Sequence, residues 1–148
     1  MTDVMVQDEQ ATVLTFLADM ADGRAEAAVA AFDEDVVYTN VGLATLRGRK
    51  RAGRVIRLLA QPALGFGVEV TSIASDGGLV LTERIDELRV GPLSVRFWVC
   101  GRFDVRDGRI VLWRDYFDNV DVFKGVLRGV LALAVPAAQR KMEPLQRP

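Results

Sequence analysis

Between Asp8 and Ala21 the apolar residues Ala11, Val13, Leu14, Phe16, Leu17 and Met20 recur every three or four positions, the spacing of one face of a helix. Asp22-Gly23 ends that pattern, and Glu26 to Phe32 predicts a short second helix. Val36-Val37-Tyr38-Thr39-Asn40 is β-branched and aromatic, which predicts a strand, and a third helix is predicted from Lys50 to Leu59. The pattern then changes period. Val68 to Ala74, Leu79 to Val90, Leu93 to Val105 and Arg109 to Phe117 alternate as strands do, joined by the turn signals Asp76-Gly77-Gly78, Gly91-Pro92 and Asp107-Gly108. A last amphipathic helix is predicted over Asp121 to Leu133. Helices first and hairpin-linked strands afterwards predict an α+β fold. Its curved antiparallel or mixed sheet would form a cone around an apolar pocket, packed with the N-terminal helices. The 148 residues read as a single domain, with a core from about residue 8 to 134 and a C-terminal tail over 135–148.

Composition narrows the chemistry. Acidic and basic residues nearly cancel, for a formal charge of −1, which argues against a nucleic-acid partner. The chain has no histidine, so Ser-His-Asp and Cys-His machinery and imidazole metal sites are excluded. With Cys100 as the one cysteine there is no internal disulfide or cysteine metal cluster, and Cys100 itself reads as a small core or interface residue. No nucleotide-binding glycine pattern occurs, so neither cofactor nor metal is expected. The N-terminus lacks a signal-peptide pattern, and the uncharged stretch Gly129 to Gln139 is far short of the roughly 20 residues that span a bilayer. A soluble cytoplasmic protein with no transmembrane segment is the expectation. Any acid–base chemistry must come from carboxylates, tyrosine or lysine.

Strand alternation locates those groups, because residues two apart share a face. Val111, Trp113, Asp115 and Phe117 share one face of the last strand, with Ile110, Leu112, Arg114 and Tyr116 on the other. Arg84 and Asp86 share a face with Val80, Thr82, Leu88 and Val90, and Val36, Tyr38 and Asn40 point together. Three apolar faces thus each carry polar groups, which is costly unless they meet. One reading is a buried ion pair that sets strand register, with Tyr38 and Asn40 as satisfied core polars. The other starts from the charge count. Two acids bridged by one arginine in a low dielectric cannot both ionise easily, so one carboxyl keeps its proton, which gives an acid and a base without histidine.

Tyr38-x-Asn40, Glu83-Arg84-Ile85-Asp86 and Trp113-Arg114-Asp115-Tyr116-Phe117-Asp118, in this order and at similar spacing, resemble the limonene-epoxide hydrolase family over roughly residues 9 to 124. The resemblance implies the cone-shaped fold shared with nuclear transport factor 2 and ketosteroid isomerase. It also implies an Asp-Arg-Asp triad of Asp86, Arg84 and Asp115 that adds water to an epoxide in one step. Asp115 would be the general base on a water positioned with Tyr38 and Asn40, Asp86 the acid on the epoxide oxygen, and Arg84 the bridge. Trp113, Val80, Leu88 and Phe97 are the candidate substrate-binding residues, with Leu131 among further lining candidates. A lipophilic epoxide of terpene, fatty-acyl or sterol type is the expected substrate, in lipid metabolism or detoxification. The resemblance further suggests a homodimer, with Trp98 and Tyr116 as candidate contacts.

Two rivals share the fold: a non-catalytic lipid-binding or dimerisation module, and a ketosteroid isomerase- or cyclase-like enzyme. An isomerase wants a neutral donor for an enolate oxygen, and an arginine fixed between two acids is a poor match. Arg47, Arg49, Lys50, Arg51, Arg54 and Arg57 crowd the third helix and read as a solvated face, with attraction to anionic lipid or to a charged substrate tail as the functional alternative.

Overall fold

The computed structural model describes residues 2–148, with side chains from residue 8 onward. Its elements are α1 (Thr2–Ala21), α2 (Ala25–Ala30), β1 (Phe32–Asn40), β2 (Thr45–Arg47), α3 (Arg49–Leu59), β3 (Leu64–Asp76), β4 (Leu79–Val90), β5 (Leu93–Arg106), β6 (Arg109–Phe117) and α4 (Asn119–Ala132), then a single 3-10 turn, Pro136–Ala138. The strands form one mixed sheet in the order β2-β1-β6-β5-β4-β3. Only the β1–β6 pair is parallel. Helix α1 lies across one face and touches β3, β4, β5 and β6. No described helix is long and apolar enough to cross a membrane.

The hairpins follow from the turn residues. Asp107 and Gly108 both take positive φ, 51° and 72°, as a two-residue turn matching the twist of β5 and β6 requires. β4 and β6 run over the expected residues, whereas other boundaries differ. β1 begins at Phe32, which was expected to end the second helix; its ring is buried between Phe16 and Trp113. β3 begins at Leu64, four residues before the expected start. Gly65 and Gly67 hide this extension because the side chains of Arg89 and Glu87 occupy the space a Cβ would take there. The three-residue β2 escaped the pattern altogether.

Beyond Phe117, which pairs with Val99, β6 stops and α4 takes over beside the uncovered edge of β5. Asp118 caps the helix by accepting from the Val120 and Asp121 N–H groups. Asp121 in turn accepts from the Trp98 N–H, and Arg128 donates to the Arg96 carbonyl. Gly125 and Gly129 allow this approach, since a Cβ at either would collide with the carbonyl oxygen of Arg96 or Ser94.

The core lies between α1 and the inner face of the sheet. Trp113 stacks on Tyr38 at 4.2 Å between centroids and parallel to Phe103 at 6.0 Å, with Phe16 edge-on at 5.1 Å. One face assignment is corrected here. Ile110 is fully buried on the inner side, because a register shift after Asp104 breaks the alternation of β6 at Val111. Residues 139–148 are packed along the sheet rather than trailing from it.

Candidate active site

Among the described residues, Arg84 is the largest side chain with no exposed surface. It points inward from β4, between Thr82 and Asp86 on the same face. Its Nε and Nη2 donate to the two oxygens of Asp86 at 2.9 Å each, and Nη2 also donates to Asp115 Oδ2 at 2.9 Å. Nη1 reaches Thr82 Oγ1 at 3.4 Å, and the guanidinium lies 5.9 Å from the Phe103 ring centroid. The second oxygen of Asp115, Oδ1, accepts from Trp113 Nε1 at 2.8 Å. Asp86 and Asp115 come from strands on opposite sides of β5, and they meet because of one residue between them. Gly101 pairs with Thr82 on β4 and with Asp115 on β6. A Cβ at that position would overlap Arg84 Nη1 and come within 3.0 Å of Asp115 Oδ1. Gly101 and Thr82 are the site residues that sequence reasoning missed, although a lone glycine inside an apolar strand is a known sign of close approach.

Tyr38 and Asn40 approach from the other side. Asn40 is the register partner of Asp115 in the parallel β1–β6 pair, and the Val41 N–H donates to the Asp115 carbonyl. Asn40 Nδ2 donates to Tyr38 Oη at 2.6 Å, which leaves the tyrosine proton free to be donated elsewhere. Arg84, Asp86 and Asp115 are thus joined by hydrogen bonds, and Tyr38 and Asn40 pair with each other on the neighbouring strand.

Electrostatics divide the site. Burial pushes the Asp115 carboxyl above its ordinary range, against the attraction of Arg84, and the neighbouring Asp86 charge pushes it further. Burial would lower the Arg84 pKa, but the two carboxylates more than reverse this and the guanidinium stays charged. Tyr38 is pushed up to about 12, first by burial and then by the charge of Asp115, so it stays a neutral donor.

The expected lining residues divide too. Trp113 is buried and holds Asp115 as well as bounding the site. Phe97 is the register partner of Asp86 and packs against Phe117, and Leu88, two residues from Asp86, is half-buried. Val80 is fully buried deeper in the core, beside Phe103. Leu131 is exposed on α4. Two apolar hollows lie on the opposite face of the sheet, one around Ala74, Leu81, Cys100 and Tyr116 and one around Trp98, Cys100 and Tyr116. Cys100 is exposed there and is not part of the core.

Comparison with known proteins gives a consistent answer. Epoxide hydrolase EphG of Mycobacterium tuberculosis is 55% identical over 108 residues, 73% of this chain and 72% of that protein. The structure of an M. tuberculosis LEH-like epoxide hydrolase superposes with a TM-score of 0.88 at 45% identity, covering 93% of this chain and 98% of that one. A ketosteroid isomerase-like protein from Catenulispora acidiphila, at 17% identity and a TM-score of 0.69 over 78% of this chain and 91% of that one, shows the shared fold alone. Residues 7–128 match the limonene-1,2-epoxide hydrolase catalytic domain, and the chain belongs to that family and is an epoxide hydrolase.

Proposed function

We propose that the enzyme opens a lipophilic epoxide in one step with Asp86, Arg84 and Asp115, without a covalent intermediate. The observation that carries this reading is the single buried guanidinium hydrogen-bonded to both carboxylates. A water held by Tyr38 and Asn40 loses a proton to Asp115 as its oxygen bonds to one epoxide carbon. The carbon–oxygen bond of the ring breaks, and the released oxygen takes the proton of Asp86, giving a vicinal diol. Push and pull come from two carboxyls in different protonation states, which Arg84 keeps within reach of one proton. After turnover the proton sits on Asp115 and must return to Asp86 before the next epoxide is opened. The absence of histidine agrees with direct water attack, since no second, histidine-activated hydrolysis is needed. The apolar walls formed by Trp113, Phe97 and Leu88 favour a terpene-, fatty-acyl- or sterol-type epoxide. The test follows the solvent oxygen: a single turnover in ¹⁸O-water places the label in the diol, whereas unlabelled diol refutes direct attack.

The exposed outer face of the sheet also fits the homodimer that the sequence suggests. Leu81, Trp98 and Tyr116 are each at least two-fifths exposed there, around the apolar hollows already described.

A further inference from the structure

Helix α3 carries a charge pattern that the epoxide chemistry does not use. From Val36 to Val68 the chain holds six cations, Arg47, Arg49, Lys50, Arg51, Arg54 and Arg57, and no acid, although its overall formal charge is −1. Two of the six are occupied. Arg49 donates to the Phe32 carbonyl at 2.9 Å, and Arg57 pairs with Glu26 at 2.8 Å. Arg47, Lys50, Arg51 and Arg54 are exposed, and among the described residues none of them forms an ion pair. The acids at the start of β1, Asp33, Glu34 and Asp35, do not reach them; Asp33 accepts from the Asp35 N–H instead.

Helix stability gives no reason for this arrangement. Arg49, Lys50 and Arg51 fill the first turn, where the helix dipole disfavours cations, and that turn has no acid. Lys50 and Arg54, Arg51 and Arg54, and Arg54 and Arg57 stand three or four residues apart, so like charges weaken the helix further. The opposite side, with Ala52, Gly53 and Ile56, is buried, so the helix has one way to face. Lys50, Arg51 and Arg54 point away from the core, and Leu58 emerges with them, two turns on from Arg51 and more than half exposed.

Unpaired cations beside an exposed leucine match the boundary of an anionic bilayer, which offers phosphates and carboxylates outside and acyl chains just beneath. A nucleic acid offers phosphates too, but single strands are held by stacking, and no aromatic residue lies between Tyr38 and Phe66. We infer that Lys50, Arg51, Arg54 and Leu58 dock the enzyme onto an anionic lipid surface. The helix lies flat on the headgroups and does not insert, because its buried side belongs to the fold. Docking itself is independent of the hydrolytic reading. That it brings the enzyme to bilayer-dissolved epoxide rests on that reading.

The test is co-sedimentation of the full chain with vesicles of phosphatidylcholine alone and with about one-third phosphatidylserine. The native protein is expected to bind the mixed vesicles at least about tenfold more tightly, and added salt to weaken that binding. Arg51→Gln with Arg54→Gln is expected to lose about tenfold. The matched pair Lys124→Gln with Lys141→Gln, exposed on α4 and in the C-terminal segment, should stay within about twofold of native. Leu58→Ser should weaken binding about threefold with little change in its salt dependence. All five side chains are exposed, so the variants keep the native fold, which their melting temperatures check. Equal binding to both vesicle types, or equal losses in the two double variants, overturns the inference. So does a DNA duplex that binds as tightly as the mixed vesicles with no effect of Leu58→Ser, since the face would then recognise phosphate alone. Binding is read without turnover, so its failure leaves the hydrolytic reading standing.

Discussion

Asp115 is placed where a carboxylate is expensive: buried, beside a second acid, and held by an arginine that serves both. Its raised pKa has a definite consequence for stability. The folded state keeps a proton that the unfolded chain releases above its ordinary value of 3.8, so the native form loses stability as pH rises from there towards the folded value. Asp115→Asn cannot ionise and escapes that loss. The melting temperature of the variant minus that of the native protein is therefore expected to rise from about pH 4 to pH 7. A difference that is flat or falls over the same range contradicts a raised Asp115. These charged residues were legible because alternation assigns a face to each: an aspartate between a tryptophan and a phenylalanine cannot be casual. What alternation could not show was the empty space. Thr82 and Gly101 carry no charge, and their importance appears only when three strands are side by side.

At the scale of the element, glycines and bulges account for most differences between expectation and fold. Gly65 and Gly67 give β3 a weak strand pattern because Arg89 and Glu87, from β4, fill the places of their side chains. Ile110 lies inside against the simple alternation because β5 and β6 change register beside it, a feature of pairing that no single strand reveals. Gly101 is the glycine packed against Arg84 and Asp115. Gly101→Ala is expected to displace Arg84 or Asp115, at a cost of about 1–3 kcal/mol in stability from overpacking. A shift of about 1 Å in catalytic groups costs about 10²-fold in kcat. Urea unfolding and steady-state kinetics on the one variant check both, and native kcat in a folded Gly101→Ala protein contradicts the packing of Arg84 described above.

For the molecule as a whole, the layout separates two surfaces. The inner face is covered by α1 and holds the Asp86–Arg84–Asp115 cluster, while the outer face around Leu81, Trp98, Cys100 and Tyr116 is apolar and open. Light scattering of the native protein at low micromolar concentration is expected to give twice the chain mass, and Trp98→Arg to shift it towards the single chain. A native monomer contradicts the use of this face. The overall class was legible because three helical periods precede a run of four long hairpin-linked strands, and the hairpin turns follow from local residues. The path of the C-terminal segment was not, because residues 139–148 carry no periodicity and are held by partners far away in sequence, Asp19 and Val68 among them. The central claim remains that water attacks the epoxide directly, with Asp115 as base. Single-turnover hydrolysis in ¹⁸O-water, run on the native enzyme and Asp115→Asn together, tests it most directly. The account predicts labelled diol from the native enzyme and none from the variant; unlabelled diol from the first turnover, or undiminished labelled diol from Asp115→Asn, would contradict it.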